Sequence, residues 1–233
     1  MIAEIQRRLE QLSDAEMAAS SQNFFKTQPG GYGEGDLFRG IRVPPLRKLA
    51  SEFRNITTED SRELLQSQYH EDRLLALFLW VQLFSTSDTS TKKEIYELYL
   101  QNTHRINNWD LVDASAEQIM GAYLWDKPRD VLCHLAQSRI LWERRIAIIS
   151  TFYFIKRSDF DDTLHIAEVL LQEREDLIHK AVGWILREVG KRDRTVEEMF
   201  LLAHYKQMPR TMLRYAIEKF PEEQRQRYLK GEL

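Results

Sequence analysis

Apolar residues recur at three- and four-residue intervals along almost the whole chain. In HEDRLLALFLWVQLF (70 to 84), Leu74, Leu75, Leu77, Phe78, Val81 and Phe84 keep this spacing, the period at which an α-helix turns one face to a core. No comparable run alternates with period two, so the pattern predicts helices and no sheet. Ser13 with Glu16 and Thr57 with Asp60 read as capping boxes or close variants that start helices. Pro44 and Pro45 follow the extended segment GIRV and open a helix through RKLASEF, where proline is tolerated in the first turn. Breaks at PGGYGEG, NITTED, TSDTS, DKP, RSD, KRD and QMP divide the chain into about a dozen helices, most of them short.

Several helices resemble one another. RLLALFL, VDASAEQ, RIAIIST, KAVGWIL and RYAIEKF place a small residue at Ala76, Ala114, Ala147, Ala181 and Ala216, at spacings of 38, 33, 34 and 35 residues. An interval that holds two helices and two turns is the mark of an α–α solenoid, in which each helix pair covers its neighbour's apolar face. The expected fold is all-α: a single domain over 1–233 built of HEAT-like helical repeats, with a concave face lined by equivalent positions of successive inner helices. In that phase Asp113, Arg145, His179 and Trp184 fall on neighbouring inner helices.

Composition narrows the class. Of 233 residues, 43% are hydrophobic and 30% charged, as in soluble globular proteins. Cys133 is the one cysteine, so no internal disulfide can form and a reducing compartment is expected. No stretch of about 18 apolar residues suggests a membrane span, and MIAEIQRRLEQL lacks the apolar core of a signal peptide. A cytoplasmic location follows. The formal net charge of −3 argues against a generic nucleic-acid coat protein but leaves room for local basic faces. Such clusters occur at Arg42, Arg47, Lys48 and Arg54, and at Lys180, Arg187, Lys191, Arg192 and Arg194. Each is read as a solvated face unless a shared concave surface makes it a phosphate track.

The candidate chemistry centres on NNWDLVD (107 to 113). Trp109 and Asp113 are four residues apart, on one face of a helix, and an aromatic wall beside a carboxylate suits a cationic reaction centre. The competing reading is a core tryptophan beside an aspartate that favours a helix N-terminus. Other chemistries are weak. The six histidines show no HExxH or cysteine-paired spacing and are assigned structural or surface roles; no metal and no organic cofactor are expected. Cys133 reads as a small buried apolar residue, GGYGEGD as a turn, and Trp80, Trp125 and Trp142 as core.

With these segments the chain resembles the AlkD family of DNA alkylation repair glycosylases, whose fold is a HEAT-like solenoid. NNWDLVD resembles the family's W-D-x-V-D segment, with Asn108 where an aromatic often precedes the tryptophan. LWERRIAI (141 to 148) resembles W-x-x-R-x-A-I, KAVGWILRE (180 to 188) resembles K-A-I-G-W-x-L-R-E, and YGEGDLFRGIRVPPLRK (32 to 48) is similar to the N-terminal segment of many members. Together they span most of the chain in the family's order. The combination is more specific than the fold, which hosts many functions.

The resemblance implies a hydrolase for cationic N3- or N7-alkylated purines in duplex DNA. Asp113 would be the catalytic carboxylate, Trp109 and Trp184 the walls around the lesion's deoxyribose, and Arg145 a phosphate anchor with Arg144 as its adjacent alternative. A DNA-contacting aromatic falls at Phe24 or Phe25, with Phe25 taken as the contact. Arg42, Arg47, Lys48, Lys180 and Arg187 complete the expected DNA-binding set. A monomer would suffice, with the lesion left largely stacked. The other readings are a non-catalytic protein that binds branched or damaged DNA, and a protein-interaction solenoid.

Overall fold

The computed structural model describes residues 1–233. The all-α class predicted by the periodicity is what forms: no strand is present, and one isolated parallel bridge pairs Leu37 with Tyr69. Contacts group the chain into two compact units, residues 1–119 and 120–233. The division falls within a single π-helical turn, Glu117–Gly121. The repeat alanines occupy successive structural positions: Ala76, Ala147, Ala181 and Ala216 are fully buried inside helices, while Ala114 is half-buried at a helix end.

The first unit contains α1 (Ile2–Leu12), α2 (Ala15–Phe24), α3 (Val43–Glu52), α4 (Thr58–Leu65), α5 (His70–Thr86), α6 (Thr89–Gln101) and α7 (Trp109–Asp113). Helices α3, α4, α6 and α7 pack on α5, whose residues are all buried from His70 to Trp80. A helix enclosed on every side needs apolar residues all round, which LLALFLW supplies. Its first turn, HEDR, is instead ionisable, and each group is compensated. Glu71 accepts the backbone N–H groups of Arg39 and Gly40 at 2.8 Å and of Ile41 at 3.1 Å. Asp72 holds the Arg39 guanidinium at 2.6 and 3.0 Å and accepts Ser67 Oγ at 2.7 Å. Arg73 lies 2.8 Å from Asp36 and donates to the Ser67 carbonyl at 3.1 Å. His70 Nε2 meets Asp110 at 2.8 Å, and its Nδ1 faces Asp36 at 3.4 Å. The extended segment before α3 is thereby tied to α5. Gly40 permits this route: its φ is +79°, and a Cβ there would lie 2.1 Å from the Asp14 carbonyl oxygen.

The second unit contains α8 (Asp130–Ala136), α9 (Leu141–Ser150), α10 (Phe152–Ile155), α11 (Asp161–Val169), α12 (Asp176–Arg192), α13 (Arg194–His204), α14 (Arg210–Ala216) and α15 (Glu222–Lys230). Here α12 is the hub, contacted by α9, α10, α11, α13 and α14. Its approach to α14 depends on Gly183, where a Cβ would sit 2.3 Å from the Met212 carbonyl oxygen. Near the other end of α12, Gly190 abuts Glu197 of α13, a carboxyl group 2% exposed whose Oε1 has no hydrogen-bond partner.

Most predicted boundaries hold. Thr57 caps α4 by accepting the Asp60 N–H at 3.0 Å, and Pro44 and Pro45 lie in the first turn of α3. The cap of α2 is Asp14, not Ser13: Asp14 accepts the Met17 N–H at 2.9 Å, while Ser13 Oγ donates back to the Leu9 carbonyl at the end of α1. Trp80 and Trp142 are core, at 0% and 7% exposure. Trp125 is not. At 38% exposure it lies before the DKP break with the guanidinium groups of Arg129 and Arg157 each 5.4 Å from its ring. Cys133 is half-buried. No helix is long and apolar enough to cross a membrane.

Two buried groups make stability fall with pH in different windows. Burial opposes the His70 charge, but the bond to Asp110, its charge, and Asp36 outweigh it and push the imidazole up to about 9. A folded pKa above the unfolded value gives stability that is complete below about 6.5 and is lost as pH rises through about 9. His70→Gln should abolish that loss and destabilise the protein by roughly 3–5 kcal/mol at pH 6 by leaving Asp110 without its cation, as chemical denaturation at pH 6 and pH 10 would read. Glu197 is raised to about 8, chiefly by burial. The fold therefore favours its protonated form, and stability declines between about pH 4.5 and 8. Glu197→Gln should match the parent's unfolding free energy near pH 4.5 and exceed it at pH 8 by about 1–3 kcal/mol, as chemical denaturation would read.

Candidate functional site

Helix α7 is a single turn, too short to persist without tertiary support. Asn108 caps it by accepting the Trp109 N–H at 2.9 Å. Asp110 fastens it to α5 through His70, and Asn107 donates to Asp36 at 3.1 Å. Trp109 and Asp113 thus project from a turn anchored on both sides of its start.

Trp109 is half-buried at the end of an aromatic stack. Phe38 stacks on His70 at 4.6 Å, His70 meets Phe25 at 4.9 Å, and Phe25 stacks on Trp109 at 5.6 Å with planes 23° apart. Phe24 touches Trp109 edge-on at 6.2 Å and is itself 64% exposed. Of the two aromatic candidates, Phe25 is the spacer that orients the indole and Phe24 is the ring open to solvent. The glycine-dense segment makes the turn its composition predicts, and a Cβ on Gly33 would come within 2.4 Å of the Phe25 carbonyl oxygen.

Asp113 is the last residue of α7. Helical backbone resumes at Ala116 and runs into the π-helical turn Glu117–Gly121, so Asp113 lies at the junction of two helical segments. Its charge, added to the larger effect of burial, raises the phenol of Tyr99, which hydrogen-bonds Ser115 Oγ at 2.9 Å. Asp113 lines a cavity of about 370 Å³ with Arg47, Ser51, Gln82 and Gln118, and with apolar Phe78 and Val81. The Arg47 guanidinium lies over the Phe78 ring at 4.4 Å. A neighbouring cavity of about 450 Å³ shares Ser51 and Gln82 and adds Arg54, Asn55 and Thr86. Sequence reasoning missed Gln82 and Gln118. Uncharged amides in amphipathic helices leave no spacing to detect. Arg42 and Lys48 are exposed and make no ion pair.

In the second unit, Trp184 is half-buried on α12, meets Phe152 edge-on at 5.9 Å and donates its Nε1–H to Glu188 at 3.2 Å. Arg145 is 5% exposed, with Nη1 donating to the Leu177 carbonyl at 2.6 Å. Arg144 pairs with Glu173 and donates to the Ser138 carbonyl at 2.8 Å. Lys180 pairs with Asp176 at 2.6 Å and Arg187 with Glu218. All four basic candidates here already have partners, so a phosphate would compete with a carboxylate or a carbonyl. The Arg42, Arg47 and Lys48 group is free of that competition. No group of three or more histidine, cysteine or acidic side chains is arranged to hold a metal ion.

The fold recurs in solved structures. A predicted DNA alkylation repair enzyme from Enterococcus faecalis superposes with a TM-score of 0.71 at 18% identity, covering 90% of this chain and 97% of that one. The protein smu.31 from Streptococcus mutans UA159 superposes with a TM-score of 0.55 at 17% identity, covering 92% and 95%. At such identities the likeness is one of fold. No curated protein matches in sequence. The description of the DNA alkylation repair enzyme family matches residues 5–220, nearly the whole chain. The chain belongs to the DNA alkylation repair enzyme family.

Proposed function

We propose that this protein is a monofunctional DNA glycosylase that hydrolyses the N-glycosidic bond of cationic N3- or N7-alkylated purines in duplex DNA. The observation that carries this reading is Asp113: a carboxylate at the end of a short, firmly anchored helix, on a cavity wall and one turn from a half-exposed indole.

Alkylation at N3 or N7 gives the purine a positive charge, so it departs without prior protonation. The bonding pair of the C1′–N bond leaves with the base and neutralises it, and the sugar becomes oxocarbenium-like. Asp113 stabilises that cation and takes a proton from the water whose oxygen attacks C1′. Trp109, with Phe25 stacked on it, offers the cation an aromatic face worth about 0.5–2 kcal/mol, depending on desolvation. The AlkD resemblance assigns Trp184 to a wall around the lesion's deoxyribose and Arg145 to a backbone phosphate. The Leu177 carbonyl on Arg145 Nη1 fixes the plane of the guanidinium, which can then pair with a phosphate in a forked geometry that lysine lacks. Arg42, Arg47 and Lys48 supply the unpaired charge for the DNA backbone, and Phe24 the exposed N-terminal aromatic contact. Holding sugar and phosphates from outside the helix lets the lesion stay largely stacked, and a monomer suffices.

Release of 7-methylguanine from methylated duplex DNA tests the assignment. Asp113→Asn should lower single-turnover release by about 100- to 1000-fold while keeping duplex affinity near that of the parent. Full activity in this variant would refute the catalytic role. Duplex binding by the parent protein with no base release would instead favour a non-catalytic binder of damaged or branched DNA.

A further inference from the structure

His70 is a buried ionisable group that the hydrolytic step does not use. At 2% exposure it is too deep to touch a nucleotide, yet its ring is held from several directions. Nε2 meets Asp110 of α7 at 2.8 Å, and Nδ1 faces Asp36 at 3.4 Å. A neutral imidazole carries one N–H and one lone pair, and the lone pair would face a carboxylate at whichever nitrogen lacked the proton. Only the imidazolium suits both. Phe38 at 4.6 Å and Phe25 at 4.9 Å lay aromatic rings against it, and such rings attract a cation.

The other charges nearby leave that balance in place. Arg73, on the same helix, pairs with Asp36 at 2.8 Å and opposes the imidazolium, while Arg105 acts at one remove through its charge on Arg73. Glu71 is spent on the backbone N–H groups of Arg39, Gly40 and Ile41, and Asp72 on the Arg39 guanidinium. Asn107 brings only a neutral N–H to Asp36. The imidazole is accordingly pushed up to about 9.

Two links run from this ring to the candidate site. Through Asp110 it holds α7, a single turn whose last residue is Asp113. Through Phe25, which stacks on Trp109 at 5.6 Å with planes 23° apart, it backs the indole. We infer that His70 is a positioning residue that sets the Trp109 indole and the Asp113 turn in their working geometry. Loss of its proton turns a lone pair toward a carboxylate, so the ring shifts and both links loosen together. That this geometry serves base excision rests on the glycosylase reading; that His70 sets Trp109 does not.

Two readouts on the intact protein test this. The first is the emission of Trp109, taken as the difference between the parent and Trp109→Phe. In the parent it should shift with a midpoint at about pH 9, and the shift should vanish in His70→Gln. The second is single-turnover release of 7-methylguanine from duplex DNA at pH 7, scaled to the folded fraction. His70→Gln should slow it about 10- to 100-fold, the scale of losing an orienting partner, and leave duplex affinity unchanged. Phe25→Leu leaves both carboxylates on His70 and breaks only the ring link. It should lose most of the emission shift and slow release, which keeps the test decisive if His70→Gln does not fold. A shift retained in full by either variant, or release at the parental rate by the folded variants, overturns the inference, because a merely structural histidine changes only the folded fraction. A parental emission shift without base release keeps His70 as the residue that sets Trp109 and sinks the glycosylase. Parental release with an emission that ignores pH between 7 and 10 does the reverse.

Discussion

The first unit is organised by the buried ionic turn at the start of α5. His70, Glu71, Asp72 and Arg73 are all within 3% of full burial, where uncompensated charges would cost several kcal/mol each. Compensation comes from three pieces of chain: the distant segment Asp36 to Ile41, the adjoining loop at Ser67, and the distant Asp110 of α7. None of these pieces is held by regular secondary structure of its own. The extended segment has a single bridge, and α7 is one turn. Because charge–charge and charge–amide contacts are directional, the network specifies where each piece sits, which apolar packing alone would do less sharply. Trp109 and Asp113 inherit their positions from it. So does the aromatic stack, since His70 is at once its second ring and the ion-pair partner of the residue next to Trp109.

Charge is distributed unequally among the basic candidates. A net charge of −3 does not suggest a DNA-binding protein, and in the second unit the carboxylates explain why: Glu173, Asp176 and Glu218 neutralise Arg144, Lys180 and Arg187. The Lys180–Asp176 pair is exposed and weak, so a phosphate would exchange with it at small net cost, whereas Arg144–Glu173 is largely buried and costly to break. A phosphate met by the unpaired cations on α3 and its N-cap would gain the full counterion-release term. Counting lysines and arginines cannot separate the two sets, because the difference lies in which acidic side chains the fold brings alongside.

The helical architecture was legible because burial of one helix face leaves a 3.6-residue period in any sequence, and breaks at DKP, KRD and QMP coincide with real helix ends. Finer features were less so. Ser13 and Asp14 are both good caps, and only the chain path decides that Asp14 caps α2 while Ser13 closes α1. Trp125 follows an apolar run, but the break after it leaves the ring at the surface between two arginines. HEDR looks like the solvated first turn of a helix, and its burial depends on partners 30 to 40 residues away. The pairing of Trp109 with Asp113 was visible as a spacing, yet its assignment to chemistry came from the resemblance. Gln82 and Gln118 had no signature at all, because an amide becomes informative only when it is seen buried without a partner.

Asp113 separates a structural from a functional explanation more clearly than any other residue. Had it begun α7, the helix dipole would account for it. At the other end it lies close enough to raise the buried Tyr99 phenol and borders a cavity. A fold that anchors α7 through Asn107, Asn108 and Asp110 and then ends it in a carboxylate holds negative charge at a fixed place. A preorganised charge of this kind stabilises a cation without reorganisation at the moment of reaction, which is what an oxocarbenium-like sugar requires.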